Sequence, residues 1–279
     1  MSVVGGELPA GSELTSYDVV GGRLAAVSLR PAGARGTALL VPGFTGSKED
    51  FSPVLEGIAG GGWHAVALDQ RGQHESPGPD DLAAYSVESL AADLRQVIAR
   101  LDGPVHLVGH SFGGLVCRAA AIAEPTAVAS LVLMSSGPAA LSGPRVEAMD
   151  HVRPLVEAGD LVAVADLMDA AAALDPLRQE LPGEIRDFLR RRFLTSSAAG
   201  LLGMGDALTS EPDRVDELAA TGLPVLVLYG EHDDAWPPAV QAAMAERLGA
   251  AHVVVPGSRH SPAAERPDET VAALLAFWD

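Results

Sequence analysis

Among 279 residues the chain has one cysteine and one lysine, and each scarcity removes a class of chemistry. With Cys117 alone, no disulfide can form within the chain, which argues against a cross-linked fold in an oxidising compartment. With Lys48 the single lysine among nineteen basic residues, Schiff-base chemistry has one candidate amine and is disfavoured. Basic charge is scarce overall. Thirty-seven acidic residues leave a formal charge of −18, which repels nucleic acid, anionic membranes and polyanionic substrates. The expected partner is a neutral or weakly charged small molecule. Aromatic residues make up 4% of the chain, so a pocket dominated by ring stacking is not expected. Long apolar runs are also missing: the most apolar stretch, LVCRAAAIAEPTAVASLVLM, is interrupted by Arg118, Glu124 and Pro125, as a membrane span rarely is. The first residues, MSVVGGELPAGSELTS, have neither a basic start nor a continuous apolar segment. A soluble, cytoplasmic protein with no membrane or nucleic-acid partner is expected.

What is present is a core: 48% of residues are hydrophobic, and they are arranged in order. Six short runs, TALLV, HAVAL, VHLVG, SLVLM, PVLVL and AHVVV, each end in a glycine, serine or polar turn. Near-continuous hydrophobicity over so few residues marks strands covered on both faces, as in a parallel sheet. Between them lie helical patterns. In SVESLAADLRQVIARL, Val87, Leu90, Ala91, Leu94, Val97, Ile98 and Leu101 recur at helical spacing behind Ser86 as N-cap. In RPDETVAALLAFWD, Pro267 stands at a helix start. Alternating strands and helices give an α/β fold with a mostly parallel central sheet flanked by helices. Residues 137–205 break the rhythm with helical patterns alone and are expected to form a helical lid inserted into a core domain made of residues 1–136 and 206–279.

The chemistry starts at Gly109-His-Ser-Phe-Gly113, preceded by a strand and followed by a helix. This is G-x-S-x-G in the setting it requires, a sharp strand-to-helix turn that presents Ser111. The small residues at 109 and 113 let the turn close, and the helix amino terminus favours negative charge beside the serine.

At this point the chain resembles the α/β-hydrolases, in particular their compact, lidded, esterase-like members. Five blocks carry the likeness in order: LLVPGFTGS resembles the oxyanion loop, DQRGQHES the D-x-R-G-x-G-x-S turn and GHSFGG the nucleophile elbow. YGEHDDAWPP and GSRHSP resemble the loops bearing the acid and the histidine. The family order of serine, acid and histidine implies Ser111, Asp233 and His260. The resemblance also implies an oxyanion hole from the backbone amides of Phe112 and Phe44. The usual His-Gly of that loop is replaced by Pro42-Gly43, and proline supplies no amide of its own.

Elementary chemistry asks for the same parts. A serine hydroxyl needs a base, and histidine suits neutral pH. Of eight histidines, His260 lies in a loop between the last strand and the last helix, where it can reach over the sheet edge. The base needs a buried carboxylate to hold its tautomer. Asp233 stands three residues after the glycine that ends its strand, the family's spacing, and Asp234 is its rival by one position. Glu231 and Asp234 are otherwise expected to be solvated. Contiguous Glu-His-Asp-Asp cannot converge on one ion, so no metal is expected there and no cofactor is needed. A phosphate loop is excluded because Gly46 and Lys48 are not adjacent as the motif demands. Trp236 is expected at the pocket mouth, Cys117 in the core, Asp69 and Arg71 as organisers of their turn, and the Arg190-Arg191-Arg192 run on a solvated helix face. The expected function is hydrolysis of a carboxylic ester, thioester or lactone. Acyl transfer, perhydrolysis, cofactor-free lyase chemistry, or a ligand-binding protein on an inactive hydrolase fold are the alternatives.

Overall fold

The computed structural model describes residues 8–175 and 179–279. Eight strands form one sheet in the order β1-β2-β4-β3-β5-β6-β7-β8. The strands are β1 (Glu13–Val19), β2 (Gly22–Leu29), β3 (Thr37–Val41), β4 (His64–Leu68), β5 (Val105–His110), β6 (Ser130–Met134), β7 (Val225–Gly230) and β8 (Ala251–Val255). From β4 across to β8 all pairings are parallel. The six apolar runs are β3 to β8. In β3 to β7 the near-continuous hydrophobicity has a direct cause: in β3, Leu39 and Val41 enter the core on one face while Ala38 and Leu40 enter it on the other, as the two-residue period of a strand requires. The edge strand β8, by contrast, is mostly exposed.

The two antiparallel strands were not foreseen. β1 pairs with β2, and β2 with β4. β1 is a largely exposed edge strand carrying Thr15, Ser16 and Asp18, so it has no apolar run to read. β2 opens with Gly22 and Arg23 and is rich in small residues.

Helices cover both faces. They are α1 (Ser52–Gly60), α2 (Val87–Ile98), α3 (Phe112–Ala123), α4 (Pro144–Glu157), α5 (Leu161–Ala172), α6 (Gly183–Leu194), α7 (Ala198–Ser210), α8 (Val215–Ala220), α9 (Pro238–Leu248), the single turn α10 (Pro262–Glu265) and α11 (Pro267–Trp278). Ser86 caps α2 by accepting the Ser89 amide. Helices α2 and α3 pack on one face, and α1 and α11 on the other. Between β6 and β7 the described residues hold α4 to α8 and no strand. Residue 205 lies inside α7, so that helical segment runs on to Ser210. Among the described residues no helix is long and apolar enough to cross a membrane.

A buried cation ties the helical segment to α3. Arg118, on α3, donates to the carbonyls of Pro138 and Pro212 and to Glu211 Oε1 at 3.0 Å. Both ends of the inserted segment therefore meet at a single guanidinium.

Candidate active site

Ser111 sits where β5 turns into α3, with φ 53° and ψ −122°, a conformation that costs an L-residue energy and persists only under tight packing. The glycines around it supply that packing. A Cβ on Gly113 would lie 2.4 Å from the Val41 carbonyl oxygen, and one on Gly109 2.5 Å from that of Gly113. A side chain at Gly109 would push β5 and α3 apart, and one at Gly113 would push α3 off the end of β3.

Three side chains expected from sequence are brought together. His260 Nε2 is 3.0 Å from Ser111 Oγ, and His260 Nδ1 is 2.8 Å from Asp233 Oδ1. A carboxylate only accepts, so Nδ1 carries the proton and Nε2 is left to accept from the serine hydroxyl. Asp233 is buried and further bonded: the Ala235 amide donates to Oδ1 and Gln241 Nε2 to Oδ2, each at 2.9 Å. Burial presses this carboxyl toward its neutral form, but His260 and the two added donors outweigh it and hold its pKa below the usual carboxylate value. For His260, burial lowers the pKa and Asp233 opposes that without cancelling it, so the ring favours the neutral form. Asp234 points elsewhere, to Arg145 at 2.6 Å, and is about half exposed. Glu231 accepts the Gly257 amide.

The loop after β3 packs against the serine: a Cβ on Gly43 would lie 3.0 Å from Ser111 Cβ. Two glutamines from the turn after β4 grip this loop by its carbonyls. Gln70 Nε2 donates to Pro42 O at 2.9 Å, and Gln73 Nε2 to Gly43 O at 2.7 Å and Phe44 O at 3.2 Å. With those carbonyls held, and Pro42 lacking an N–H, the Phe44 amide is the first donor of the loop beyond Gly43. Among the described residues, neither the Phe44 nor the Phe112 amide has a hydrogen-bond acceptor. His74, where the family turn has glycine, keeps a left-handed φ of 41° and meets Thr195 Oγ1 at 2.9 Å.

A cavity of about 170 Å³ opens over Ser111, with Phe44, Arg145, Met149, Arg192 and His260 in its wall. Two expectations are corrected here. Trp236 is not at the pocket mouth: it is 4% exposed and packs in the core, where a Cβ on Gly137 would come within 2.1 Å of its ring. Its neighbour Ala235 lines the cavity instead. The arginine run is not one solvated face. Arg190 pairs with Asp166 and Asp169 at the surface, but Arg192, two residues on and so on the opposite side of α6, is 2% exposed and donates to Asp50 at 2.5 Å. Helical wheel position would have separated them; charge alone did not.

His110 is buried, and its Nε2 donates to the His260 carbonyl at 2.8 Å. Burial, with His260 beside it, pushes its pKa down to about 4, so it stays neutral and braces the histidine loop. Among the described residues one group has metal-ligand spacing: Glu49, His74 and Glu75. Lys48 Nζ lies 2.8 Å from Glu49 and 2.7 Å from Glu75, so an ammonium already sits beside both carboxylates. Cys117 is buried in α3. Asp69 accepts both the Lys48 amide and its ammonium, and Arg71 pairs with Asp93.

Comparison with known proteins places this geometry. Residues 38–274 match the model of the alpha/beta hydrolase family. A pimeloyl-[acyl-carrier protein] methyl ester esterase of Aeromonas salmonicida is 29% identical over 247 residues, 79% of this chain and 91% of that protein. A protein of Variovorax paradoxus is 40% identical over 99 residues, a stretch that is 37% of its length. A thermophilic esterase from Thermogutta terrifontis superposes with a TM-score of 0.77 at 24% identity, covering 95% of this chain and 98% of that one; this last likeness is one of fold.

Proposed function

The chain belongs to the alpha/beta hydrolase family, and from that premise we propose that it is a serine hydrolase cleaving a carboxylic ester, thioester or lactone of a small molecule through an acyl-enzyme on Ser111. The observation that carries this reading is the continuous relay from Ser111 Oγ to His260 to Asp233, with contacts of 3.0 and 2.8 Å.

Ser111 Oγ attacks the carbonyl carbon as neutral His260 takes its proton on Nε2. The imidazolium that forms keeps its Nδ1–H on Asp233, whose charge stabilises it. The carbonyl oxygen becomes an oxyanion and accepts the Phe112 and Phe44 amides, aided by the positive end of α3. His260 then gives its proton to the leaving oxygen or sulfur, and a water repeats the sequence on the acyl-enzyme. Gln241 and His110 act through others, the first on Asp233 and the second on the His260 loop. The helical segment 137–205, with α7 running to Ser210, serves as a lid: it contributes Arg145, Met149 and Arg192 to the cavity wall, and selectivity resides there. The esterase name of the Aeromonas relative agrees with an ester as substrate. A single, buried cysteine fits a cytoplasmic setting.

The test is a panel of activated esters, thioesters and lactones, followed by a pH–rate profile with whichever is cleaved. Because burial holds the His260 pKa below 6.5, the base form is already dominant at neutral pH. The value of kcat/KM should fall on acidification with a midpoint below 6.5. A midpoint above 6.5, or release of acyl groups only to added alcohols or amines and never to water, would contradict the proposal.

A further inference from the structure

A second cavity, of about 560 Å³ and partly open to solvent, is formed largely by the helical segment, walled by Val152, Val156, Val164, Met168, Phe193 and Leu201. It meets the Ser111 cavity at Phe44, Thr45 and Met149, which border both. Three features of that border matter. Phe44 is the residue whose amide is assigned to the oxyanion, so the chamber starts one side chain from the reacting carbonyl. Met149 is half-buried, and an unbranched thioether can yield to a ligand. Gly205, on α7, leaves the border thin: a Cβ there would lie 3.2 Å from Met149 Cε and 3.7 Å from Phe44 Cζ.

Size points the same way. Small-molecule sites usually hold about 300–1,000 Å³, and the 170 Å³ cavity over Ser111 falls short of that by itself. At the rim, Arg153 pairs with Asp206 and with Glu157, while Asp150 and His151 also border the cavity. The wall formed by Val152, Val156, Val164, Met168, Phe193 and Leu201 offers apolar contact.

We propose that this chamber binds an unbranched, medium-length alkyl arm of the ester, which passes Met149 while the carbonyl sits at Ser111. The assignment rests on Ser111 being the nucleophile. The arm belongs either to the acyl group or to the alcohol, and two substrate series distinguish them.

The experiment uses the full chain with p-nitrophenyl esters from acetate to decanoate and, in parallel, acetates of alcohols from ethyl to decyl. In one series kcat/KM should rise by about three- to fourfold per added methylene until the chamber is full. Gly205→Leu closes the border and should lower the ratio of eight-carbon to two-carbon kcat/KM by about tenfold or more. Met149→Ala opens it and should move the same ratio upward. Flat or falling profiles in both series would overturn the proposal, as would ratios unmoved by the two variants. If Gly205→Leu does not fold, Met149→Ala decides alone, an unchanged ratio counting against the chamber. Cleavage of the acetate with no chain preference sinks only this inference. No cleavage of any ester, with no fluorophosphonate adduct on Ser111, sinks the hydrolase reading beneath it.

Discussion

Replacing Asp233 by asparagine should lower kcat on an activated ester by about ten-thousandfold, while Asp234→Asn should leave it nearly unchanged. The difference follows from what each carboxylate touches. Both Asp233 oxygens receive donors, Oδ1 from His260 and Ala235 and Oδ2 from Gln241. An amide NH2 placed on either side would face one of those donors. It would also remove the charge that stabilises the imidazolium. Asp234 instead holds Arg145 at a half-exposed position, where an ion pair contributes about 0–1 kcal/mol. Steady-state kinetics on the two variants, with circular dichroism to show that both fold, makes the comparison. Equal losses, or a larger loss for Asp234→Asn, would move the orienting acid by one residue.

The second large effect concerns stability. Glu211→Ala should reduce the free energy of unfolding by about 3–5 kcal/mol, because it strands a charged guanidinium in the interior. The side chains of Arg118 and Glu211 are only 1% and 4% exposed. Burial favours the neutral form of each, raising the Glu211 pKa and lowering that of Arg118, while the pairing opposes both shifts. Glu124→Ala, which breaks the exposed Arg95–Glu124 pair, should change stability by about 1 kcal/mol or less. Urea midpoints measured side by side provide the test, and comparable small losses would mean that Arg118 does not need its partner. Because Arg118 also bonds Pro138 and Pro212, the same substitution should loosen the helical segment where it leaves and rejoins the sheet.

How far these features were legible depends on the kind of signal each leaves in the chain. The interior parallel strands β3 to β7 were readable because burial on both faces writes an unbroken apolar run, as in TALLV and HAVAL. β1 was not, since an edge strand that is mostly exposed has no reason to be apolar, and β2, although largely buried, opens with Gly22 and Arg23 and carries small residues in place of an apolar run. Ser111 was readable because its turn constrains neighbours on both sides, leaving small residues at fixed offsets. His260 and Asp233 were reached through their order and through the resemblance. Gln70, Gln73 and Gln241 left no mark, because a buried glutamine that grips a carbonyl or carboxylate has the same letter as one in solvent. Arg192 and Arg190 are likewise identical in sequence, and only the helix beneath them sends one to the surface and the other to Asp50. Trp236 was misplaced for a related reason: proximity to Asp233 along the chain says nothing about which side of the loop a ring packs against. The division between a readable backbone and unreadable side-chain partnerships is a physical one, because patterns record burial and turns, while hydrogen-bond partners are chosen in three dimensions.

The most direct test of a nucleophilic Ser111 is intact-protein and peptide mass spectrometry after incubation with a fluorophosphonate. One covalent adduct per chain is expected, located on Ser111, lost in Ser111→Ala and strongly slowed in His260→Ala. A folded protein that gains no adduct, or that is modified at another residue while Ser111 stays free, would contradict it.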